Sequence, residues 1–181
     1  MYSILDIDLD YFNRMGRPTR RLEELLIWAN CPVSVVVQCH NHAFTRWKST
    51  LRARNTAPSH ILHVDEHHDM MDERKQTNIA NFMCHAMRTW PRCRVHWLVE
   101  NPIDSPAVWL GVESWDSFSP RFSLGPERPN GWPRPDLVSV CTSPGFVDPS
   151  LRARLLNVVQ RLTTRRSKEG DAELTDPGDK Q

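Results

Sequence analysis

The segment "HVDEHHDM", His63 to Met70, places three carboxylates and three histidines in eight residues, directly after an apolar run. Within it Asp65, His67 and Asp69 have D-x-H-x-D spacing. A strand end turning into a loop can aim such a set, one imidazole and two carboxylates, at a common point. Mixed oxygen and nitrogen donors suit a borderline-hard ion such as Mn2+, with Zn2+ and Fe2+ as other occupants. A second acidic group stands in "DIDLD", where strand alternation puts Asp6, Asp8 and Asp10 on one face at the end of the first apolar run. Like charges gathered this way repel. Either the strand frays and water solvates them, or a divalent cation compensates. A third strand end, "QCHNHAF", carries His40 and His42, either of which would complete a metal shell.

These groups need elements to position them. "YSILDI", "VSVVVQC", "SHILHVD", "RVHWLV" and "DLVSVC" read as strands, and the β-branched second run as one buried on both faces. Between them, Leu22, Leu25, Leu26 and Ala29 recur at helical spacing, and further helices are expected from about Ala43 to Arg52 and Asn78 to Thr89. A last helix opens with Asp148 as N-cap and Pro149 at its first position. Strands alternating with helices imply right-handed βαβ units: an α/β class, three-layer αβα fold with a mostly parallel sheet. In such sheets ligands bind at the carboxyl ends of the strands, where the acidic and histidine clusters fall.

The 181 residues, 39% of them hydrophobic, suit one domain over 1–163, and the polar stretch 164–181 reads as a disordered tail. With 23 basic against 22 acidic residues, no global field favours nucleic acid or a membrane surface. No basic leader or long apolar span is evident, so a cytoplasmic location is expected. Five cysteines without C-x-x-C spacing read as reduced core thiols. Residues from about Asn101 to Pro135, rich in proline and carrying Trp109, Trp115 and Trp132, read as an irregular binding loop or a short β excursion. His85, in "NFMCHAM", is either a core histidine or a general acid, because imidazole titrates near neutral pH. Asn78 and Asn81 either bind substrate or cap the helix, and "SPGF" around Gly145 offers backbone to a substrate.

Taken together, "ILDIDLDYF", "CHNHA", "HVDEHHDM", "NFMCHAM" and "VSVCTSPGF" resemble the ureohydrolase (arginase/deacetylase) superfamily. The likeness is strongest to small peptide arginases, which convert arginine to ornithine in ribosomally made peptides. It spans about residues 2 to 147. The resemblance implies an arginase-like fold, shortened and permuted, because the D-x-D pair stands at the amino terminus instead of late in the chain. It implies two Mn2+ ions held by Asp8, Asp10, His42, Asp65, His67 and Asp69. Asp6 and His40 are the alternative ligands: Asp8 and Asp10 lie at the strand's end, and His42 is favoured because Ala43 would then open the next helix. It further implies Asp65 and His85 as catalytic groups, His85 delivering the proton, with Asn78, Asn81 and Gly145 at the substrate. Gly145 stands where an acidic guanidinium contact is expected. The implied partner is an arginine-containing precursor peptide in RiPP maturation, with a homo-oligomer possible and no nucleic acid or membrane involved. Two other activities fit parts of the pattern: a Zn-dependent deacetylase-like amidohydrolase and a non-catalytic metal-binding module.

Overall fold

Apolar runs bounded by turn residues become six strands. They are β1 (Tyr2–Asp8), β2 (Val33–Val37), β3 (Pro58–Val64), β4 (Arg94–Leu98), β5 (Phe122–Gly125) and β6 (Leu137–Cys141). The helices are α1 (Pro18–Ala29), α2 (His40–Ala53), α3 (Phe82–Thr89), α4 (Pro106–Trp109), α5 (Val112–Phe118) and α6 (Pro149–Glu173). The computed structural model describes the backbone of residues 1–173 and the side chains of residues 1–164. All six strands form one sheet in the order β2-β6-β1-β3-β4-β5, and every pairing is parallel.

The two-residue period of the strands divides their side chains between two cores. Ile4, Val35, Ile61, Val95 and Leu137 face one way and pack beneath Phe44 and Trp47 of α2 and Phe82, Met83 and Met87 of α3. Leu5, Ile7, Leu62, Val64, Val138 and Val140 face the other way, against Leu22 and Leu26 of α1 and Leu155 and Val159 of α6. Burial on both faces makes three layers, αβα. The strand β1 lies between β3 and β6, while α1 leaves β1 on one face and α2 leaves β2 on the other. The crossovers therefore diverge above the centre of the sheet and open a crevice at its carboxyl edge.

Several expectations change. The run "VSVVV" is an edge strand with Val36 exposed, because among the described residues its only strand neighbour is β6. A β-branched run reports strand propensity, not the number of neighbours. The proline-rich stretch 101–135 holds α4, α5 and an outer strand, β5. Helix α3 begins at Phe82, not near Asn78, because Asn78 and Asn81 build a turn ahead of it. The helix α6 continues to Glu173, past the expected boundary at 163: polarity argues against burial, not against helical backbone. The remainder of the expected tail, 174–181, lies outside the described residues. Among the described residues no helix is long and apolar enough to cross a membrane.

Candidate metal centre

Asp8 ends β1 and caps a short 3-10 helix, Leu9–Phe12, its Oδ1 accepting the Asp10 backbone N–H at 2.9 Å. Asp10 therefore reaches the site by a turn, not by strand alternation. Asp6 lies one pleat deeper and is fully buried. Its carboxylate accepts the Ser139 hydroxyl at 2.7 Å and faces His63 Nδ1 at 3.0 Å, which places it behind the cluster.

Asp65 follows the last residue of β3. Its Oδ1 accepts the His67 backbone N–H at 2.7 Å, and Trp97 Nε1 anchors its carbonyl at 2.9 Å. His67 Nδ1 then sits 3.2 Å from Asp10 Oδ2 and 3.6 Å from Asp65 Oδ1. Asp69 adopts left-handed backbone, φ 51°, which a short polar side chain tolerates. That reversal folds Asp69 Oδ2 back to 2.8 Å from His40 Nδ1.

His40 is the first residue of α2 and is 3% exposed. Its Nδ1 also lies 3.2 Å from Asp65 Oδ2, and its Nε2 lies 3.4 Å from Asp8 Oδ2. Two donor sets result, one of Asp10, Asp65 and His67, the other of His40, Asp65 and Asp69, with the atoms of each set within 4.8 Å of one another. Asp65 belongs to both. A third set joins Asp8 and His40 to Cys141, the last residue of β6. Ser143, in left-handed backbone at φ 36°, donates to Asp8 Oδ2 and lies 3.3 Å from the Cys141 sulfur.

Burial, then the neighbouring Asp10, Asp69 and Asp8, pushes the Asp65 carboxyl well above its ordinary range. Burial likewise pushes Asp8 up to about 6. Burial alone would lower His40, but the charges of Asp6 and Asp8 raise it well above the ordinary imidazole range. His67 is raised chiefly by its hydrogen bond with Asp10. An imidazolium thus does part of the neutralising work that a cation would do. The donor set fits a cation: Asp10 Oδ1 and His40 Nε2 are both buried without a hydrogen-bond partner.

The donors floor a cavity of about 300 Å3 whose upper wall is Met71, Ile79, Ala80, Pro144, Gly145 and Phe146. Ile79 and Phe146 are exposed at its rim.

The structure brings together Asp8, Asp10, Asp65, His67, Asp69 and the alternative ligand His40, with Gly145 on the wall. It does not bring His42, which lines a different cavity with Val36 and Thr45. The reason is the helix start: α2 opens at His40, not after His42, and two residues further turn a helical side chain roughly 200° away. His85 also lies off the cavity wall, its Nε2 3.1 Å from the Arg74 carbonyl. Asn78 and Asn81 are turn-builders: Asn81 accepts the Asn78 N–H at 2.8 Å, and both amides donate to Asp72, at 3.1 and 2.6 Å. Cys141 and Ser143, which the sequence motifs do not include, join the site because β6 pairs with β1 and sets Cys141 opposite Asp8.

The metal-free chain should show the strain of this cluster. Asp8 keeps its proton to about pH 6 when folded but only to its ordinary 3.8 when unfolded, so stability is lost as pH rises through that window. Asp8→Asn escapes the loss. Urea titrations with chelator present should show the variant gaining about 2 kcal/mol on wild type between about pH 4 and pH 7. A constant difference across that range would show that Asp8 ionises normally.

No protein-family model, curated protein or solved structure matches the chain.

Proposed function

We propose that the chain is a binuclear manganese hydrolase of the ureohydrolase type that converts a peptidyl arginine to ornithine and releases urea, as a modification of a ribosomally made precursor peptide. The observation that carries this reading is Asp65, whose two oxygens face separate donor sets, the arrangement a bridging carboxylate needs. Asp10, Asp65 and His67 would hold one ion; His40, Asp65 and Asp69 would hold the other, and Asp8 stands 3.4 Å from His40 Nε2. Such ions supply Lewis acidity and an activated water at neutral pH.

The chain's own groups do the remainder. A guanidinium is planar and carried on a methylene stem, which the apolar wall of Met71, Ile79 and Phe146 sheathes. That wall holds no charged side chain to receive a free amino acid's ammonium and carboxylate. A peptide-bonded arginine has neither group and leaves nothing unpaired. With His85 off the wall, a lining carboxylate would carry the attacking water's proton to the departing amine, and the Ser143 hydroxyl, which donates to Asp8, orients that carboxylate.

A second reading rests on Cys141. The set of Asp8, His40 and Cys141 includes a soft sulfur donor, which favours Zn2+ over Mn2+ and a single-ion, deacetylase-like amidohydrolase.

The test is to incubate Mn2+-loaded protein with arginine-containing peptides, acetyl-lysine peptides and free arginine, reading urea and ornithine by mass spectrometry. Arginine peptides should be converted with a kcat/KM at least about tenfold above free arginine. Deacetylation without urea would select the second reading.

A further inference from the structure

An open cleft of about 830 Å3 has a lining wholly separate from that of the metal cavity. Five arginines reach it, Arg14, Arg17, Arg20, Arg21 and Arg128, against three glutamates. Two arginines are already engaged: Arg20 with Glu24 at 2.9 Å and Arg14 with Glu66 at 3.2 Å. The other three have no carboxylate within ion-pair distance among the described residues. Arg128 is braced 4.4 Å over the Trp28 ring, and Arg21 Nε is buried without a hydrogen-bond partner. Arg17 stands at the start of α1, whose first turn has no side-chain cap. The amino-terminal end of α1 adds positive potential to the same end of the cleft.

The cleft and the metal cavity share no lining residue, but one short loop, Asn13–Arg14, touches both. Arg14 lines the cleft, and its partner Glu66 adjoins His67 of the donor set. The preceding residue, Asn13, donates its amide to the Phe146 carbonyl at 3.0 Å, so this short loop also fixes the cavity rim. A chain with its arginine over the metal donors would have to cross that loop at Arg14 to reach Arg17 and Arg128.

Resting on the peptide reading above, we propose that this cleft docks an acidic segment of the same substrate peptide, with Arg17 and Arg128 receiving its carboxylates. Glu24, Glu100 and Glu127 in the lining oppose a phosphate backbone, whereas a peptide can space its charges between them. Arg17 is exposed and Arg128 and Trp28 are half-buried, so their side chains give its apolar atoms a surface. Docking remote from the reacting carbon would choose the peptide, leaving the metal cavity to choose the side chain.

The test measures binding of fluorescein-labelled peptides that carry glutamine in place of the reactive arginine, followed by a run of glutamates, serines or lysines. On the Mn2+-loaded protein at low ionic strength, the glutamate peptide should bind about tenfold tighter than the serine peptide. The preference should fade with salt and should pass to the lysine peptide in Arg17→Glu/Arg128→Glu. Equal binding of the glutamate and serine peptides, a preference that survives charge reversal, or displacement by an oligonucleotide of equal charge would overturn the docking. Urea release from an arginine peptide is scored separately, so loss of docking and loss of the reaction are distinguishable.

Discussion

Asp65→Asn is expected to empty both ion positions and to lower urea release by about a thousandfold or more, while leaving the fold intact. The asparagine is nearly isosteric, and its Oδ1 can still accept the His67 N–H that holds the strand end in shape. What it lacks is the second anionic oxygen facing His40 and Asp69. In wild type that oxygen belongs to a carboxyl pushed up by burial and by three neighbouring aspartates, so the metal-free state carries its cost and a cation relieves it. The metal-free variant should therefore melt no lower than metal-free wild type. Adding Mn2+ should stabilise wild type by about 4 kcal/mol at a thousandfold excess over Kd and leave the variant unmoved. Calorimetric melts with and without Mn2+ check both statements. An equal Mn2+ shift in the two proteins would take Asp65 out of the site.

His40→Asn and His42→Asn should differ as sharply, although the residues stand two apart. His40 carries the Nδ1 of one donor set and lies within a cluster of buried carboxylates, so its loss should cost one ion and about a hundredfold or more in turnover. His42 lies in another cavity, and its variant should retain metal content and turnover. Elemental analysis beside a urea assay separates the two. Loss of metal in the His42 variant would mean that α2 starts later than the structure has it.

This contrast also marks what could be read from the residues alone. Apolar runs ending in Asp and His identify strand ends, because a buried parallel strand needs the run and a site needs the polar residues after it. Asp8, Asp65, His67 and Asp69 follow from that rule. The choice between His40 and His42 does not, because Cys39 gives α2 no side-chain cap, so no capping residue marks its first turn. Asp10 reaches the site by the Asp8-capped turn, which strand alternation does not describe. The ring of His85 is turned by the Arg74 carbonyl, a contact between a helix and a loop eleven residues upstream. Cys141 and Ser143 enter because β6 pairs directly with β1, and strand order is not written in the spacing of either segment.

The binuclear site stands or falls with Asp65 serving two ions. Electron paramagnetic resonance of the Mn2+-loaded, desalted protein tests it most directly, since two ions bridged by one carboxylate are spin-coupled and separated ions are not. Wild type should give the broadened spectrum of a coupled pair, absent in Asp65→Asn. The spectrum of isolated Mn2+ in wild type, or no bound Mn2+, would contradict it.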